Sequence, residues 1–413
     1  MRKILSMFSV IAAVLPITFA CEEVDVTGQQ ESVNATHEVI TLPDVAKILS
    51  EISLGDEQIR EVHDAVSSSL GNGYDEEYTM QDLFKEPGSG VGDEETKALG
   101  LPTKASGNYS RPLRDLITEY LKTSTKAISD STSTVSPEEY LAALMSSDVQ
   151  IYWPYSEKWD GKAYPIITFD PNDGSTKNEG YKMIFDDAGN YHIEEVLVDE
   201  DMAKATPVWV VNRNSDSEYS SLEMLRRQDP DWGVAGGSVV IGYNGSTTKA
   251  ESDGEIKTLI LKDLTAKRNF DPWFAGASEF FVKCGAVEDF TATTEEEMSN
   301  YSPSITDFMI IVRRDEVDVK KDFNAVLVSQ WTDQLENCAF MLIEDDGGRR
   351  TSWQCEANVR VKSKNYGFDI ELPFNVKDDI VWRGKLSKKY FERYSGTTGH
   401  FGDVDLTFEV VTR

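Results

Sequence analysis

The chain has 413 residues, with 41 Lys and Arg against 72 Asp and Glu, a formal net charge of −31 and an isoelectric point near 4.5. That balance excludes a nucleic-acid binder, which must set clustered cations against phosphates, and it disfavours anionic lipid surfaces. Hydrophobic residues at 40% and charged residues at 27% keep the composition globular, and the length allows two or three domains of ~100–200 residues.

Arg2 and Lys3 precede an apolar stretch from Ile4 to Phe19, broken by Ser6, Ser9 and Thr18. This is a secretory-signal layout, shorter than the ~18 residues a spanning helix needs, and no later stretch comes close. Ile17-Thr18-Phe19-Ala20 followed by Cys21 resembles the lipobox of bacterial lipoproteins, whose cysteine takes a diacylglycerol thioether and becomes the first mature residue. Thr18 stands where that family usually carries Leu, so plain cleavage after Ala20 is the alternative. Glu22, Glu23 and Asp25 resemble the surface-export signal of Bacteroidota lipoproteins. The resemblance implies lipidation at Cys21, an anchor in the outer membrane and display at the cell surface, with the periplasmic face as second choice. Residues 21–40, which include the aperiodic Gly28 to Asn34, read as a tether.

Residues 41–148 read as helical. Val45, Ile48, Leu49 and Ile52 recur at helical spacing after Pro43-Asp44, and Ile59, Val62, Val66 and Leu70 do so before Gly71-Asn72-Gly73. A third helix follows Ser110 and carries Leu113, Leu116, Ile117, Tyr120 and Leu121. A fourth opens on Ser136-Pro137-Glu138-Glu139, a capping box with proline at its first position. Pro87 to Pro102 and Ser124 to Val135 read as loops, and Asp130-Ser131-Thr132 matches a short O-glycosylation motif.

From Val149 the period changes to two, and strand-like runs continue to Val411 without intervening helices. The fold class expected is α+β, a small helical N-terminal region followed by one or two antiparallel β-sandwich-like domains. The polar, Gly-rich stretch from Asn212 to Gly237 divides a small β domain at 149–237 from a sandwich-like domain at 238–413.

Asp346-Gly347 predicts a two-residue hairpin turn. Cys338 and Cys355 each lie eight residues from it, which sets them opposite one another at a non-hydrogen-bonded site, where Cα atoms approach to ~4.5 Å and a disulfide can close. Two reduced core cysteines are the alternative. A second turn near Asn365-Tyr366-Gly367 sets Val361 opposite Ile370 and Val359 opposite Leu372, and Cys284 is left over.

Motifs of catalysis are missing. The histidines, His37, His63, His192 and His400, are scattered without zinc spacing, and Ser246-Thr247-Thr248-Lys249 reads as a polar turn. Gly233 to Gly237 precedes a strand, whereas a phosphate cradle follows one. No metal, cofactor or catalytic residue is assigned. Trp153, Tyr155 and Trp159 form an aromatic cluster able to stack on a ligand if exposed, or to pack in a core. Asp263, Asp271-Pro272-Trp273 and Asp345-Asp346 distantly resemble the Ca²⁺-binding loops of C2 sandwiches. The Asp-x-Asp pair of that family is absent, and the hairpin competes for Asp345 and Asp346.

The function expected is a membrane-anchored, non-catalytic binding or scaffold module for a glycan or protein partner, acting through loops at a sandwich end or the aromatic cluster. The alternatives are a hydrolase of external polymers with an unidentified carboxylate pair, and a purely structural envelope component.

Overall fold

The computed structural model of the protein describes residues 40–85, 109–123, 136–186, 188, 190–214, 220–228 and 257–412. The signal segment, Cys21, the glycosylation-like motif and the boundary expected at 237/238 lie outside them.

The helices expected from periodicity are present. In α1 (Leu42–Glu51) the Thr41 hydroxyl accepts from the Asp44 amide and Val45, Ile48 and Leu49 are buried; α2 (Asp56–Gly71) turns Ile59, Val62 and Val66 inward. A short strand β1 (Glu77–Thr79) and helix α3 (Met80–Phe84) come next, then α4 (Leu113–Thr123) and α5 (Pro137–Met145). At the start of α5 the Ser136 hydroxyl accepts from the Glu139 amide at 3.2 Å, and the Glu139 carboxylate accepts from the Ser136 amide at 2.9 Å. The capping box is therefore closed on both sides, which removes two orphan amide donors from the first turn.

The strands β2 (Val149–Tyr152), β3 (Ile166–Phe169), β4 (Lys177–Phe185), β5 (Tyr191–Asp199) and β6 (Val208–Arg213) join β1 in one six-stranded sheet, with helix α6 (Glu200–Ala205) between β5 and β6. The order is β1-β2-β6-β3-β4-β5, and every pair is antiparallel except β3 and β6, which run parallel. The helices cover this sheet. Val45, Ile48, Ile59 and Leu113 pack in the same cluster as Ile151, Trp153, Ile167 and Trp209, so the line expected between residues 148 and 149 runs through a single core.

After helix α7 (Leu222–Gln228) come β7 (Lys257–Ala266), β8 (Ser278–Ala286), β9 (Ser304–Val312), β10 (Lys321–Trp331) and β11 (Asn337–Glu344). The chain continues as β12 (Arg350–Val361), β13 (Lys364–Asn375), β14 (Asp379–Ser387), α8 (Lys388–Tyr394), β15 (Thr398–Phe401) and β16 (Val404–Thr412). Two four-stranded sheets, β10-β7-β16-β15 and β14-β11-β8-β9, contribute to one large core, where the rings of Phe340 on β11 and Phe408 on β16 meet edge to face at 5.3 Å. The β12–β13 ribbon forms a third layer against β8 and β11. The contact is close enough that a Cβ on Gly285 would sit 2.6 Å from Ile370 Cγ2. A mixed fold of small helices and several antiparallel sheets, with no barrel among the described residues, agrees with the class read from the sequence.

The hairpin read from Asp346-Gly347 does not form. Strand β11 is hydrogen-bonded on one side to β14 and on the other to β8, which leaves it no free edge for β12. Positive φ falls on Gly347 and Gly348 instead of on Asp346 and Gly347, and the chain steps between layers there. Cys338 faces Leu386 and Cys355 faces Ile370, both as free thiols, so the expected disulfide between Cys338 and Cys355 is corrected. The ribbon register also differs, with Val361 opposite Lys364 and Val359 opposite Tyr366, because the turn lies three residues nearer the N-terminus than the glycine suggested.

Candidate functional site

Trp153 and Tyr155 are core residues, 1% and 8% exposed. Trp153 packs edge to face on Trp159 at 5.4 Å and on Trp209 at 5.8 Å, with the His63 ring at 5.6 Å, so two of the three expected aromatics do come together, beneath the helices. Trp159 is half-buried and its ring nitrogen donates to the Ala163 carbonyl at 2.9 Å. Tyr155 leaves that group. Its backbone is left-handed (φ 61°), which turns the ring to the opposite side of the sheet, and its hydroxyl donates to Glu200 at 2.8 Å. Of the two readings of these rings the structure takes the packed core, and Trp153 and Tyr155 are corrected as candidate binding residues.

A different group of side chains gathers at one end of the sandwich. Residues 267–277 connect β7 to β8 and are fixed from both directions. Trp273 and Phe274 pack among Tyr152, Val208 and Val210 of the N-terminal sheet, the Trp273 ring nitrogen donates to the Thr176 carbonyl at 2.9 Å, and the Asn212 amide donates to the Phe274 carbonyl at 3.1 Å. From the other side, the Arg314 guanidinium donates to the carbonyl of Asp271 at 3.0 Å and of Gly276 at 3.4 Å, while its Nε donates to Glu200 at 2.9 Å. This clamp holds Asp271 against the end of β11, where Glu344 and Asp346 lie.

One carboxylate oxygen from each of Asp271, Glu344 and Asp346 lies within 4.8 Å of the other two. Glu344 is 1% exposed, and among the described residues no donor reaches either of its oxygens; the group facing it is the Asp271 carboxyl. Burial, then the Asp271 carboxyl and the charge of Asp346, hold the Glu344 carboxyl far above the usual carboxylate range. Burial also pushes Asp271 up, and burial with the charges of Asp379 and Asp345 pushes Asp346 up. Beside them, Asp345 accepts from the Asn375 amide at 3.1 Å, and Asp378 accepts from the backbone of Asp346 at 3.3 Å and of Asn375 at 2.6 Å. Carboxylates so crowded must share protons or surround a hard cation.

The structure thus unites Asp271 and Asp346 of the acids singled out in the sequence, because no hairpin engages Asp346. Asp263 lies apart, in the middle of β7 opposite Asp322 and Thr407, with the Lys320 ammonium at 3.6 Å. Glu344 was missed. In the sequence it is the last residue of an apolar run, and nothing marks it as buried on a strand with neighbours on both sides. No family model matches the chain, and no curated protein or solved structure matches it.

Proposed function

We propose that this chain is a lipid-anchored extracytoplasmic binding or scaffold module, attached through Cys21 to the outer membrane and displayed at the cell surface, that engages a glycan or protein partner without chemistry. The anchor reading rests on Arg2-Lys3, the apolar stretch to Phe19 and the acids after Cys21. It is compatible with the finding that no helix among the described residues is long and apolar enough to cross a membrane.

The observation that carries the binding reading is the make-up of the sandwich end. Val376 and Ile380 are 58% and 39% exposed and bracket a stretch that carries the exposed acid Asp379, to which Asp346 is joined through its amide's hydrogen bond to Asp378. Exposed apolar side chains close to carboxylates complement a protein surface that offers an apolar spot with basic groups near it. Burial of Trp153 and Tyr155 takes away the stacking platform that favoured a glycan. A hydrolase is the second reading, favoured by the raised Asp271–Glu344 pair, but these oxygens are tighter than the ~5–10 Å carboxylate spacing of glycoside hydrolysis.

A pull-down from envelope extract and a glycan array, run on the soluble chain starting after Glu23, test the proposal. A captured protein released by salt and lost in Val376→Asp is the expected result. A glycan signal shifts the assignment to sugars, and silence in both moves it to a purely structural component.

A further inference from the structure

We propose that Asp271, Glu344 and Asp346 form a calcium-binding site at the end of the sandwich. The inference goes beyond the binding reading and does not depend on it.

The donor set consists of carboxylate oxygens alone, as a hard cation requires. Oxygens on opposite sides of one Ca²⁺, each at 2.3–2.6 Å, lie roughly 4.6–5.2 Å apart. The mutual limit of 4.8 Å for this trio therefore fits a single coordination shell.

A crowd of acids would not by itself make a site, and the independent observation is Glu344. It is almost wholly excluded from water, its two oxygens lack donors, and one of them is aimed at the carboxylates of Asp271 and Asp346. A buried carboxylate without a donor is among the costlier arrangements a protein can hold, and a divalent ion would satisfy both oxygens at once. The nearby cations do not serve it. Arg314 is spent on Glu200 and on the carbonyls of Asp271 and Gly276, and the Arg268 guanidinium lies 3.7 Å from Asp379.

The placement also favours Ca²⁺ over Mg²⁺. Asp271 and Glu344 form a sheltered wall, while Asp346 sits at the exposed rim, where water can complete the shell. Magnesium keeps several of its waters, and the Glu344 side offers no solvent to hold them, whereas calcium takes six to eight oxygens in flexible geometry.

Equilibrium dialysis of the full-length chain against ⁴⁵Ca²⁺ in about 0.15 M salt, after chelator treatment, tests the site. The expected result is one saturable Ca²⁺ per chain above the diffuse uptake of an acidic surface. A dissociation constant of ~10⁻⁴–10⁻³ M is expected, as in extracellular modules. Asp346→Asn, at the exposed rim, should weaken it at least tenfold while leaving Tm in chelator unchanged. Glu344→Gln should abolish it without lowering that Tm, since the amide has the shape of the neutral carboxyl and adds no charge to the buried site. With the wild-type chain, about 5 mM Ca²⁺ should raise Tm by roughly 2–5 °C. Three results would overturn the assignment: no saturable uptake up to about 5 mM, equal affinity in the wild type and both variants, or Mg²⁺ bound as tightly as Ca²⁺.

Discussion

Cys284 on β8 and Cys338 on β11 are buried on paired strands with their thiols in proximity. The Cys338 thiol, together with burial, pushes the Cys284 thiol well above its usual range. Cys355 is half-buried, and burial pushes its thiol up to about 11. Since the thiolate is the reacting species, access decides the order of reaction. Native alkylation at pH 8 should modify Cys355 first and leave Cys284 and Cys338 untouched until the protein unfolds, as read by peptide mass mapping. A recovered peptide crosslinking Cys338 to Cys355 would contradict the strand arrangement. At this scale the sequence was legible where one residue decides its own surroundings, as Ser136 does for its capping box. It was not legible where the outcome depends on the far side of a sheet. Trp153 and Tyr155 lie two apart in the chain yet end on opposite faces, because the left-handed backbone of Tyr155 breaks the alternation that would have kept them together.

The third layer of the sandwich rests on one close approach. A Cβ at Gly285 would lie 2.6 Å from Ile370 Cγ2 and 2.9 Å from Ile370 Cδ1, so the β12–β13 ribbon can seat on β8 only because that side chain is missing. Gly285→Ala should cost about 1–3 kcal/mol through overpacking, measured by denaturant unfolding. Adding Ile370→Val, which withdraws the Cδ1 carbon, should recover part of that loss, and two strictly additive changes would show that the clash lies elsewhere. Element boundaries followed from periodicity and caps, which are local properties. Partners did not. The Asp346-Gly347 dipeptide is a sound hairpin signal, but a turn signal cannot report that β14 and β8 already occupy both edges of β11.

Across the whole molecule, burial places acids where the two parts of the chain meet. The Asp75 carboxylate accepts from the Ala277 amide at 2.9 Å, and Glu76 accepts from the amides of Tyr155 at 3.2 Å and Ser156 at 2.8 Å. Burial raises Asp75 to about 6, the charge of Glu77 adding to it and that of Arg313 opposing it. Burial and the neighbouring Asp75 charge raise Glu76 to about 8, and burial raises Glu61 to about 7. A carboxyl whose folded pKa lies above its unfolded value of ~4 binds its proton more tightly in the native state. Its stabilising contribution is complete below pH ~4 and is lost as pH rises through the folded value. Tm should therefore fall as pH rises from about 5 to 8. Glu76→Gln, which keeps an acceptor and cannot ionise, should flatten that slope in a scanning calorimeter. An unchanged slope would place the titration in other groups. The acidic composition foretold a strongly charged body, but not that Asp75, Glu76 and Glu77 would be buried together in and beside the first strand of a sheet.

Strand β7 is flanked by β10 and by β16, and the register that joins Ala266 to Val404 spans most of the C-terminal half of the chain. An emerging polypeptide must keep one side of β7 uncovered until β16 arrives, well over a hundred residues later, because β16 fills that gap. Such distant pairing defers maturation of this sheet until β16 has been made, and in the interval it leaves an open backbone ladder that other chains could join.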